Sequence, residues 1–221
     1  MRLAFGMASV LTVNMAAAPI RLGTRRSGID KRPSAEPLAV RAPGPRKGGL
    51  GSGVVGDSVC DSKHHGGDDQ AVYAYGREDL DRWEGELGRE LSNGMFGENL
   101  TTAGADLTAC LIGERWSVGD DGLLLEVTSP RTPCQTFVKR LEIPGWIKTF
   151  TAAGLPGAYF RVIEPGTVRA GDSIEVVSRP DHAVTIGMVF RALMGERTLW
   201  PALAPADALP DKIKQQVAKH S

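Results

Sequence analysis

Three cysteines are all this 221-residue chain has, and Cys60, Cys110 and Cys134 follow no paired spacing. An odd, irregular set excludes a disulfide framework and a Cys-x-x-Cys zinc site, and it suits a reducing, cytoplasmic setting. Net charge is missing too, because 26 Lys and Arg balance 26 Asp and Glu. No global field therefore recruits nucleic acid or an anionic membrane, although a local basic pocket stays open. No apolar run approaches a membrane span. The chain has no Gly-x-Ser-x-Gly elbow, Walker loop or dinucleotide fingerprint, nor any flavin, haem or iron–sulfur signature. What remains is ordinary globular composition, 42% hydrophobic and 24% charged, enough to bury a substantial core.

The N-terminus carries two readings. Met1–Ala18 has an early cation, an apolar middle and small residues at its end, the outline of a secretory signal. Ser9, Thr12 and Asn14 interrupt the apolar stretch, and the β-branched Ser9–Val13 favours a first strand. Residues 15–53, rich in Gly, Pro and Arg, read as long loops with at most one short strand. They carry Arg21, Arg25, Arg26, Lys31, Arg32, Arg41, Arg46 and Lys47, a solvated surface or an anion-binding rim.

From residue 54 the texture is β. Strands are expected at 54–60, 71–75, 159–163 and 173–177, with a hairpin of 115–118 and 123–128 about Gly119-Asp-Asp-Gly122. Leu80, Trp83, Leu87 and Leu91 follow helical spacing in 77–91. Further helices are expected at 146–153, closed by Gly154, at 186–195 behind a Thr185 cap, and at 210–219. Many short strands with few helices suggest a barrel or a strongly bent sheet, followed by a helical tail.

Candidate chemistry centres on Cys134, in Ser129-Pro-Arg-Thr-Pro-Cys-Gln-Thr-Phe137 directly after an apolar strand. Pro130 and Pro133 stiffen the loop, and the adjacent Arg131 cation favours thiolate, the form that attacks electrophiles or ligates metal. The contrary reading is a buried free cysteine acting as a small hydrophobe. A second cluster is Lys63-His-His-Gly-Gly-Asp68. Its glycines expose backbone N–H groups, and Lys63 with one imidazole adds donors for a phosphate or oxyanion. As a metal site its spacing matches no usual zinc or non-haem iron pattern. A third is Phe96-Gly-Glu-Asn99, where Asn99 can donate to or accept from a heterocycle. Cys134 with His65 would make a thiol-hydrolase pair if the fold brings them together.

Taken in order, Ser27-Gly-Ile-Asp-Lys31, Gly56-Asp57, Lys63-His-His-Gly-Gly-Asp68, Phe96-Gly-Glu-Asn-Leu-Thr101 and Pro130-Arg-Thr-Pro-Cys134 resemble the MOSC family, the molybdenum-cofactor sulfurase C-terminal domain. The likeness is to its stand-alone bacterial branch associated with 6-hydroxylaminopurine resistance. It implies a mainly β, MOSC-type β-barrel of the pyruvate kinase-like kind with a few peripheral helices. The MOSC-like domain would be 1–178, and 179–221 a small C-terminal helical appendage. The cofactor implied is a molybdopterin-type molybdenum cofactor, with Cys134 as metal ligand and catalytic thiolate or as a sulfur carrier. Ser27, Lys31, Lys63, His65, Gly66, Asn99, Arg131 and Thr132 would contact it.

The activity implied is oxidoreductase: reduction of N-hydroxylated bases or amidoximes, with electrons from an external donor protein. The alternative is a carrier of cofactor or persulfide without turnover. Small-molecule substrates are expected, with neither nucleic acid nor membrane as partner. Two departures stand out: the Gly-, Pro- and Arg-rich 41–53 could disturb a cofactor-facing strand, and His64 adds an imidazole with no assigned role. Lys31, taken as an exposed cation, is expected to serve the cofactor and not the core.

Overall fold

The computed structural model describes residues 8–61 and 63–220, so the signal-like outline of 1–7 lies outside the described residues. The strand reading holds from Ser9 onward. In chain order the strands and helices are β1 (Ser9–Met15), β2 (Ile20–Leu22), β3 (Arg25–Ser27), β4 (Arg32–Pro33), β5 (Leu38–Val40), β6 (Val72–Gly76) and α1 (Arg77–Leu87). Then follow β7 (Leu100–Ala103), β8 (Arg115–Val118), β9 (Leu123–Pro130), α2 (Gln135–Leu141), α3 (Trp146–Ala153) and β10 (Ala158–Glu164). The chain ends with β11 (Gly166–Val168), β12 (Ile174–Ser178), α4 (Ile186–Leu193) and α5 (Asp211–His220). No helix among the described residues is long and apolar enough to cross a membrane.

Eight strands form the main sheet in the order β12-β8-β9-β10-β6-β7-β1-β4. All neighbours are antiparallel except β6 and β7, which α1 joins by a crossover as parallel pairing requires. Among the described residues no ladder closes this sheet. β1 and β12 instead meet at one isolated bridge, Ser9 to Ser173. Around it Val10 N–H donates to Asp172 O and Ile174 N–H to Ala8 O, both at 2.8 Å. The fold is thus sheet-dominated and mixed, with several helices.

Most elements sit where the periodicity puts them. Thr185 Oγ1 accepts from Met188 N–H at 3.1 Å and opens α4, and α1 stops at Gly88, whose φ of 62° suits glycine. Three expectations change. Residues 54–60 form no strand, only a bridge from Val54 to Val40, because the Asp57 side chain is drawn inward to other partners. The stretch 15–53 holds four short strands, β2 to β5, not one. The seven-residue α2, directly after Cys134, was hidden by the prolines before it.

Two apolar clusters fill the interior. One lies along the sheet, including Val10, Leu125 and Phe160, and continues into Ile186 and Val189 of α4 and Val217 of α5. The other is aromatic. Trp83 of α1, Phe96, Phe137 of α2 and Trp146 and Phe150 of α3 pack with ring centroids 4.7–6.5 Å apart. Offset and edge contacts of this kind add to the burial itself. This cluster fixes α2, and through it the residue at its head, Cys134.

Phe150→Ala, which truncates a fully buried ring of this cluster, is expected to cost about 3–5 kcal/mol, measured by denaturant unfolding. A cost below about 1 kcal/mol would mean the cluster collapses freely and does not hold α2.

Candidate functional site

Asp57 is the centre of the site's scaffold. Its carboxylate accepts from Ala16 N–H at 2.9 Å, Ser52 Oγ at 2.8 Å, Asn99 Nδ2 at 3.0 Å and the Lys31 ammonium. Four donors from four chain segments thus converge on one buried acid, which is what makes its burial tolerable. Lys31 is itself buried, at 8% exposure. That corrects its reading as an exposed cation, and burial lowers its pKa while Asp57 opposes the shift. Asn99 is a strut between strands. Its Nδ2 donates to Asn14 O (3.3 Å) as well as Asp57, and its Oδ1 accepts from Tyr73 N–H (3.2 Å). Both amide hydrogens are therefore committed within the protein.

Glu98, next in chain, holds the neighbouring loop. The fully buried carboxylate accepts from Gly94 N–H at 2.6 Å, Phe96 N–H at 3.0 Å and Thr101 Oγ1 at 3.0 Å. Burial raises its pKa, and its own backbone N–H, Gly94 N–H, Thr101 and the Arg131 charge work against the rise.

Cys134 ends the β9 loop in extended backbone (φ −137°) and caps α2. Burial alone would raise its thiol pKa, but His65, the Arg131 charge and the Phe137 N–H outweigh it and leave the pKa at about 6. Arg131 is buried with its guanidinium carbon 3.9 Å from the Phe137 ring centroid and 5.2 Å from that of Tyr73. It also donates to Phe96 O. A cation so desolvated acts strongly on the sulfur beside it. Burial pushes the Tyr73 and Tyr159 phenols up, so both stay neutral.

These groups wall one cleft of about 120 Å³. Ser27, Lys31, His65, Gly66, Asn99, Arg131 and Cys134 all line it, so the structure brings together seven of the nine residues singled out by sequence. Lys63 and Thr132 are exposed and outside its wall. Cys134 and His65, the pair that sequence left open, share the wall of this cleft. His64 turns away and pairs with Asp61 at 2.9 Å. Sequence reading did not select Tyr73, Tyr159, Thr136, Ser52 or Cys60 for this wall. Tyr73 and Tyr159 are adjacent across β6 and β10 with rings 4.8 Å apart, a pairing that no local motif encodes.

Two measurements check this account. Lys31→Ala leaves a buried carboxylate short of its cation and is expected to cost about 3–5 kcal/mol in unfolding. Adding Asp57→Asn should return part of that loss, and additive costs would mean the pair is not coupled. In a Cys60→Ser background, alkylation of Cys134 should rise as pH increases through about 6 and then level off. His65→Ala should move that rise to higher pH, since it removes a partner of the thiolate.

The MOSC domain model matches residues 61–175. The protein YflK of Bacillus subtilis is 37% identical over 59% of this chain and 58% of its own length. A protein named reductase from Gibberella moniliformis is 30% identical over 83% of this chain and 37% of its own length. The chain therefore spans less than two thirds of either relative. Among solved structures, YiiM from Geobacillus stearothermophilus superposes with a TM-score of 0.76 at 27% identity, covering 96% of this chain and 98% of that one. The ordered motifs, the sheet that carries them and the matched family model give one conclusion: the chain belongs to the MOSC domain family.

Proposed function

We propose that the cleft binds a molybdopterin-type molybdenum cofactor through Cys134, and that the chain reduces N-hydroxylated bases, amidoximes or related N–O compounds. The observation that carries this reading is one cleft lined by the half-buried Cys134 and the buried cations Arg131 and Lys31, with His65 and Arg131 favouring the thiolate. The donor set suits the group. A soft thiolate fits molybdenum in a mixed sulfur–oxygen shell. Among the described residues no three His, Cys, Asp or Glu side chains cluster as metal ligands, so a metal at Cys134 must bring its other ligands with it. The cleft's size admits one end of such a group.

In this reading Cys134 ligates the metal, and the bound cofactor supplies the two-electron redox chemistry. Lys31, Ser27 and Gly66 serve its anionic and polar edges, with Lys63 and Thr132 outside the cleft as further contacts. Asn99 acts mainly by holding Asp57 and Lys31 in place. His65 orients the sulfur, Arg131 holds negative charge near it, and the neutral Tyr73 and Tyr159 rings offer an aromatic wall to a heterocyclic base. Electrons come from an external donor protein in the cytoplasm. Residues 1–178 act as the MOSC unit, read as a barrel through the β1–β12 contact, and 179–221 as its appendage.

The same thiolate would also suit a carrier that passes cofactor or persulfide without turnover, and its place with His65 in one cleft would suit a thiol hydrolase. Protein made in a host that synthesises the cofactor separates the three. The reductase predicts molybdenum, oxidised-pterin fluorescence and turnover of 6-hydroxylaminopurine with added reductant, all metal binding and turnover being lost in Cys134→Ser. Bound cofactor without turnover supports the carrier. Absence of molybdenum and pterin, with added cofactor failing to bind, sinks the reading.

A further inference from the structure

Cys60 and Cys134 are 74 positions apart in sequence, yet both line the same cleft. Cys60 is exposed and Cys134 half-buried, whereas Cys110 is buried elsewhere, in the sheet's core. His64 N–H and His65 N–H both donate to Asp61 O, at 3.1 and 2.9 Å. Cys60 directly precedes this Asp61, and both line the cleft together with His65 and Cys134. Among the described residues no backbone hydrogen bond holds Val59 or Cys60. Their segment leaves the Asp57 hub after Ser58 N–H, which donates to Ala16 O at 3.0 Å, and is next tied at Asp61. A thiol between those two ties can approach a second thiol at the head of α2, as the short Cα separation of a disulfide demands.

We propose that Cys60 is a resolving cysteine for Cys134, and that a peroxide converts the pair to an intramolecular disulfide across the cleft. In the first step the Cys134 sulfur attacks peroxide. An S–O bond forms, the O–O bond breaks, and hydroxide leaves and takes a proton as water, giving a sulfenic acid. In the second, the Cys60 sulfur attacks that sulfur. The S–S bond forms, the S–O bond breaks, and the departing hydroxide takes the Cys60 proton as a second water. Two thiols and one peroxide thus become one disulfide and two waters, the two sulfurs together losing two electrons. The disulfide diverts Cys134 from irreversible sulfinic acid, and a thiol reductant restores it. The inference is independent of any cofactor.

The test uses the full-length protein, reduced, freed of reductant and treated with hydrogen peroxide before alkylation with N-ethylmaleimide. The expected product is a monomer two hydrogens lighter that carries a single alkylation, at Cys110 after denaturation, and yields a Cys60–Cys134 linked peptide. Reductant should return all three alkylations. Cys60→Ser should form no linked peptide and should accumulate sulfinic acid at Cys134 faster than the wild type. Three intact thiols, a disulfide only between molecules, or equal overoxidation of Cys134 with and without Cys60 each overturn the proposal. Cys60→Ser changes an exposed side chain, so folding is not at issue, and the circular dichroism spectrum verifies it. Molybdenum binding is measured separately, so failure here leaves the proposed function standing, and the reverse also holds.

Discussion

One buried carboxylate sets the geometry on which the site depends. Asp57 draws in the end of β1 through Ala16, the loop before β4 through Lys31, Ser52, and Asn99 at the head of β7. Without those donors an ionised group at that depth would be strongly unfavourable, so the four segments and the acid require one another. Lys31 is the charged member, and its cation therefore has two roles: it neutralises Asp57 and it faces the cleft.

The second constraint is the aromatic cluster behind α2. It supports Cys134 on rigid packing and brings Phe137 under the Arg131 guanidinium. Core packing and site electrostatics are thus the same residues seen from two sides. Burial, which would ordinarily suppress a thiolate, here also strips water from Arg131 and strengthens its effect on the sulfur. The balance falls on the side of the charged thiol.

Much of the fold was legible because it rests on local patterns. The hairpin of β8 and β9 is announced by Gly119 and Gly122, α3 by its apolar spacing and Gly154, and α4 by Thr185. The short β2 to β5 were not legible, because each is too short for a period: β2 and β3 pair only with each other, while β4 and β5 depend on β1 and β11, more distant in the chain. The stretch 54–60 had a strand's composition, but Asp57 found its partners through its side chain and the backbone followed.

By itself the sequence determined which residue types are candidates for the chemistry: a thiol beside a guanidinium, a His-Gly-Gly turn and a Ser-to-Lys segment, in an order that marks the family. Tertiary structure decided which of them meet. It put His65 and Cys134 on one cleft, left Lys63 and Thr132 outside, turned Asn99 into a strut and buried Lys31. The reason is range. Motifs and caps are fixed by neighbours a few residues away, whereas burial, pairing and the charge on a sulfur depend on groups that only strand pairing and core packing bring close.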